Sequence, residues 1–183
     1  MDLMLLRTFQ RQVVLQCQAV LVGSHEFNSA MTTGDMTHVW IAIQNILGAA
    51  ANISKALWGQ GGKFAKEREP LRASLQVDDT SPLRNVAMRN HFEHFDERID
   101  KWWDTSESHN LLDRSIMPPS AVEGLADIEM FRVFDPSTAD IVFWGQRFNV
   151  NEIVREAARL LPIASVEAAK PHWDPLNTSG SGQ

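Results

Sequence analysis

The chain has 183 residues, 44% of them hydrophobic, and 17 basic side chains against 23 acidic ones for a net charge of -6. That length suits one domain with a real core and leaves too little chain for two. The acidic balance excludes a protein that coats nucleic acid by bulk attraction, so any RNA contact has to be local.

The single cysteine, Cys17, cannot form an internal disulfide, and among Val13, Val14, Ala19 and Val20 it reads as a small core residue. The opening run Leu3-Met4-Leu5-Leu6 is not a signal peptide: Asp2 stands where a basic residue belongs, and Arg7, Gln10, Arg11, Gln12, Gln16 and Gln18 interrupt the apolar pattern. No membrane-spanning segment is expected, and a cytoplasmic location is the default.

Leu6, Phe9, Val13, Cys17 and Val20 recur at steps of three and four, which predicts an amphipathic helix from about Asp2 to Val22, ended by Gly23-Ser24. A second helix is predicted from between Thr33 and Thr37 to Trp58, with Gly59 as its stop and Trp40, Ile43, Leu47, Ala50, Ile53 and Leu57 inside. Gly59-Gln60-Gly61-Gly62-Lys63 follows a helix instead of a strand and lacks the full phosphate-loop pattern, so it reads as a connector. A short helix is expected over Leu71–Val77.

Ser81-Pro82 then offers a capping serine with proline at the first helical position. The predicted helix runs from there to Trp102 or Trp103, with Met88, Phe92, Phe95, Ile99 and Trp102 facing inward. Between Thr105 and Asp127 the periodicity fails. Residues 129–134 and 140–144 are rich in β-formers, and Asp135-Pro136-Ser137-Thr138 between them is turn chemistry, which predicts a hairpin. A final helix is predicted over Asn151–Leu161, with Pro162 breaking or kinking its continuation. The expected whole is mainly α: a bundle of four to five helices with one small β-hairpin near 129–144. One domain covers 1–176, and a disordered polar tail follows at 177–183.

The stretch richest in chemistry is Arg89-Asn90-His91-Phe92-Glu93-His94. Arginine is a permanent cation that grips phosphate through two parallel hydrogen bonds, and histidine titrates near neutrality. The five-residue separation sets Arg89 and His94 roughly 140° apart on an ideal helix, flanking Asn90. Leu83, Val86 and Ala87 extend the Asn90–His94 face, which suits a helix that also meets a second subunit. Two other readings use the same residues. Arg89 can pair with Glu93, and His94 with Asn90 or Glu97, as ordinary helix-surface contacts. Alternatively His91, His94, Glu93 and Glu97 contribute metal ligands, completed by His25, His38 or His109, although the paired Glu-x-x-His pattern of carboxylate-bridged bundles is missing. No metal or other cofactor is expected.

Arg-Asn-x-x-x-His within a helix, here Arg89-Asn90-His91-Phe92-Glu93-His94, resembles the arginine–polar–histidine motif of the HEPN superfamily of compact α-helical bundles. The resemblance implies a metal-independent endoribonuclease of the kind found in toxin–antitoxin pairs and phage defence, with the motif at a cleft between two protomers. Residue by residue, it makes Arg89 and His94 catalytic and Asn90 their polar support. It further implies a homodimer, an RNA substrate and a neutralising partner protein. The alternative is a non-catalytic HEPN-like binding or scaffold protein.

Overall fold

The computed structural model describes residues 1–173; the tail expected at 177–183 lies outside them. The described chain is mainly α with a small β region. Helices α1 (Leu3–Thr33) and α2 (Met36–Trp58) form a long antiparallel pair, and α7 (Val150–Ala169) packs on the other flank of α1. The short helices α3 (Gly62–Glu67) and α4 (Glu69–Ser74) return the chain along α2, and a single 3-10 turn at Pro82–Arg84 leads to α5 (Ala87–Glu93) and α6 (Phe95–Thr105). The strands β1 (Ser115–Ile116), β2 (Val133–Asp135), β3 (Asp140–Phe143) and β4 (Gln146–Asn149) make one sheet in that order, parallel between β1 and β2 and antiparallel thereafter.

The second helix follows its expected inner side: Ile43, Leu47, Ala50, Ile53 and Leu57 are all buried. Asp35 caps its start by accepting from the backbone N–H of His38 at 3.0 Å, which removes one of the donors a helix leaves unpaired. The first helix runs eleven residues past its predicted end at Val22, to Thr33. Gly23 does not terminate it. A Cβ there would lie 2.9 Å from Ile46 Cγ1, so this glycine lets α1 and α2 approach closely, and the helix stops instead at left-handed Gly34.

Two further expectations change. The helix expected from Pro82 to Trp102 is three separate pieces, and Leu83, expected on a partner-facing surface, is buried in the core. Pro162 lies inside α7 without breaking it; it is exposed, and so is Ala158, so the carbonyl that loses its helical partner is on the solvent side.

The predicted turn at 135–138 is present. Asp135 accepts from the backbone N–H and hydroxyl of Ser137, and these bonds, the hydroxyl first, hold its carboxyl below the usual carboxylate range. The hairpin gains a third antiparallel strand because Trp144 (φ 50°) and Gly145 (φ 73°) form a tight two-residue turn between Phe143 and Gln146. Gly145 suits the left-handed second position of this turn; a Cβ there would also meet the exposed Asp127 carboxylate at 2.5 Å, which would have to swing aside. Trp144 accepts the left-handed conformation while its indole packs against Phe131 and Phe143. The inner face of the sheet thereby lies on the helices, with β3 and Gln146, the first residue of β4, beside α5.

Candidate functional site

The motif helix α5 is only seven residues long, too short to stand alone, and is held by what it buries. Asn85 starts it by accepting from the Ala87 N–H at 3.0 Å, and Met88, His91 and Phe92 face the core formed by α2 and β3. The opposite side carries Arg89, Asn90 and Glu93.

Arg89 is held at two points. Its Nη2 donates to Glu93 Oε1 at 2.6 Å and its Nη1 to Asn90 Oδ1 at 3.1 Å, while its Nε is buried without a partner. His94 ends α5 with φ -103° and ψ 39°, and its imidazole Nδ1 lies 3.5 Å from Glu97 Oε1 with about half the side chain exposed. The structure therefore brings Arg89 and Asn90 into direct contact, and it sets His94 at the bend where α5 meets α6. Because the helix does not continue through His94, the ideal-helix angle between Arg89 and His94 no longer describes their relation. Both acid partners are those that ordinary helix-surface spacing produces.

Beside the bend, His91, a residue whose role the sequence did not reveal, joins α5, α6 and the sheet. Its ring stacks on Phe143, with centroids 4.6 Å apart and planes within 7°. Arg98 Nε donates to Nδ1 at 3.2 Å, and Nε2 lies 3.1 Å from Gln146 Oε1. Arginine has donors only, so Nδ1 must be the acceptor and Nε2 must carry the proton given to Gln146. The turn at His94 rotates α6. Trp102 is buried as expected, whereas Phe95 and Ile99, expected inside, face solvent with Trp103 as an exposed i, i+4, i+8 stripe.

Burial pushes the His91 pKa down; the Gln146 bond opposes this and the Arg98 charge adds to it. A histidine whose folded pKa lies below its unfolded value binds fewer protons when folded, so stability is complete above the unfolded pKa and falls as pH drops through it toward the folded one. Urea midpoints measured from pH 8 to pH 5 should fall below about pH 6.5, and His91→Gln should flatten that slope. An unchanged slope in the variant would place the acid sensitivity elsewhere.

Other titratable residues have defined places. His38 Nδ1 lies 2.6 Å from Asp35 Oδ2 at the start of α2, and His109 Nε2 contacts the Trp103 carbonyl at 3.0 Å. Among the described residues no three His, Cys, Asp or Glu side chains gather as a metal site, and both nitrogens of His91 are engaged. Cys17 is buried and its thiol is pushed up to about 12, chiefly by burial and further by Glu156, so it stays a protonated core residue. No helix among the described residues is long and apolar enough to cross a membrane.

Two arrangements found only in three dimensions adjoin this site. Arg132 grips Asp113 through both Nε, at 2.6 Å, and Nη2, and its guanidinium carbon lies 6.0 Å from the centre of the Phe92 ring. Glu129 is buried and accepts from the hydroxyls of Ser106 and Ser108, which ties the end of α6 to the approach to β2. Nothing in the local sequence around these positions marked them, because each partner is about twenty residues away. Compared with protein-family models, curated proteins and solved structures, the chain finds no significant match.

Proposed function

We propose that the protein is a HEPN-like, metal-independent endoribonuclease that works as a homodimer, in a toxin–antitoxin or defence setting with a neutralising partner. The observation that carries this reading is the Arg89 guanidinium, oriented by Asn90 and Glu93 in the first turn of α5, five residues before a half-exposed imidazole at His94. An oriented guanidinium needs little reorganisation to stabilise a phosphoryl oxygen, and an imidazole open to solvent can exchange a proton with substrate. In the reaction the 2′-oxygen attacks the adjacent phosphorus as its proton leaves to an imidazole, the bond to the 5′-oxygen breaks, and that oxygen takes up a proton. The products are a 2′,3′-cyclic phosphate and a 5′-hydroxyl. A two-fold dimer supplies two such imidazoles, one as acceptor and one as donor, and doubles the local positive charge in an otherwise acidic protein. The exposed Phe95–Ile99–Trp103 stripe, which begins beside His94, is the apolar surface that such a dimer would cover.

A second reading, a non-catalytic helical scaffold, is favoured by one observation: Arg89 and His94 each have an acidic partner within the protomer, Glu93 and Glu97. The two are separated by incubating purified protein with single-stranded RNA and with the matching DNA in excess EDTA. The nuclease reading expects cleavage of RNA only, with cyclic-phosphate ends. Intact RNA at stoichiometric protein leaves the scaffold.

A further inference from the structure

A cavity of about 430 Å³ lies between α2 and the chain segment that carries Asp113 and Arg132, and none of Arg89, Asn90 or His94 lines it. Its volume is in the range of small-molecule sites. Trp40 and Phe92 form an aromatic wall, with ring centroids 6.4 Å apart, and Met36 and Ile41 add an exposed apolar lip. The charged lining residues are Asp113, Arg114 and Arg132, one carboxylate against two guanidiniums, for a net charge of +1.

These two arginines are not equivalent. Arg132 is already engaged at both ends of its fork by Asp113 and is only 26% exposed. Arg114 touches the same carboxylate loosely, Nε to Oδ2 at 3.6 Å, and 64% of its side chain is open to solvent. One guanidinium is therefore available to an incoming anion. Trp40 lines the cavity through its ring, while its indole N–H is buried away from solvent without a hydrogen-bond partner, so it is the ring and not the N–H that a ligand meets.

We propose that this cavity binds a small aromatic carboxylic acid, its ring against the wall formed by Trp40 and Phe92 and its carboxylate on Arg114. The charge selects the ligand class. A phosphate monoester carries nearly two charges and a polynucleotide many, whereas one free cation opposite a lip made of Met36 and Ile41 matches a monoanion with an apolar body. The site is independent of the nuclease reading, since none of Arg89, Asn90 and His94 lines it, although Phe92 comes from the same helix.

The test is calorimetric titration of the full-length protein with benzoate, phenylpyruvate and indole-3-acetate, with indole-3-acetamide and uridine monophosphate as comparisons. At least one acid should saturate at one per chain, and the Trp40 indole N–H resonance, assigned with Trp40→Phe, should shift on binding. Arg114→Gln should weaken binding about tenfold or more by removing a charge-assisted pair, while Arg89→Ala should bind as the unaltered protein does. The proposal is overturned if none of the three acids saturates at millimolar concentration, if the neutral acetamide binds as tightly as its acid, if Arg114→Gln has no effect, or if uridine monophosphate binds more tightly than every acid.

Discussion

Arg89→Ala and His94→Ala are each expected to slow metal-independent RNA cleavage by at least about a hundredfold, because loss of one charge-stabilising donor or one proton-transfer group costs about 10²–10⁴ in rate. The two side chains act as a unit in one step, so the double variant should be little worse than the slower single one. Arg89→Lys should recover little, since an ammonium cannot reproduce the planar fork that meets both Glu93 and Asn90. Glu93→Gln discriminates further. It removes a carboxylate 2.6 Å from the guanidinium, leaving Arg89 oriented by Asn90 and freer to take phosphate, and should lower KM severalfold with kcat little changed. His94 and Glu93 are half-exposed and their variants should melt close to the unaltered protein, whereas Arg89 is only 20% exposed, so Arg89→Ala is compared with Arg89→Lys at matched folded fraction. Cleavage that survives both alanine substitutions would remove Arg89 and His94 from the reaction and end the proposed mechanism, whatever the fold.

The largest loss of stability is expected from Gly23→Leu. The position lies at the contact of the two longest helices, where even a Cβ would stand 2.9 Å from Ile46 Cγ1 and 3.5 Å from the Ala42 carbonyl oxygen. A leucine has no void to enter there, and α1 would have to move off α2. Overpacking of this kind costs about 3 kcal/mol. For a chain of this size that corresponds to a fall in Tm of roughly 6–12 °C. Thermal unfolding followed by circular dichroism reads it directly; a Tm within a degree or two of the unaltered protein would mean that the helices do not meet at Gly23. Leu15→Ala, eight residues earlier on the exposed side of α1, is the matched control and should change little.

Where burial followed one face of a long helix, the pattern was legible from the residues alone. Ile43, Leu47, Ala50, Ile53 and Leu57 repeat at helical spacing over about four turns, a signal too long to be confused with anything else. Asp135-Pro136-Ser137 announced its turn through local hydrogen bonding. Glycine was the ambiguous letter. Gly23 and Gly34 carry the same propensity, yet one packs a helix crossing and the other ends the helix, and that choice depends on whether another backbone lies opposite. The site was legible only in part. Arg89, Asn90 and His94 stood out by chemistry, but periodicity ran straight through His94 and so misplaced Phe95 and Ile99.

Composition and periodicity were sufficient for a mainly helical chain built around α1, α2 and a terminal helix, because those helices bury apolar side chains whose spacing is a local property. The interruption at His94, the third strand of the meander and the cavity beside Phe92 involve contacts between distant residues: His91 with Phe143 and Gln146, Gly145 with Asp127, Asp113 with Arg132. Such pairs have no period along the chain. Their energy depends on separations set only once the helices and the sheet have packed, which is why the bend, and with it the surroundings of the arginine–histidine motif, belongs to the tertiary structure.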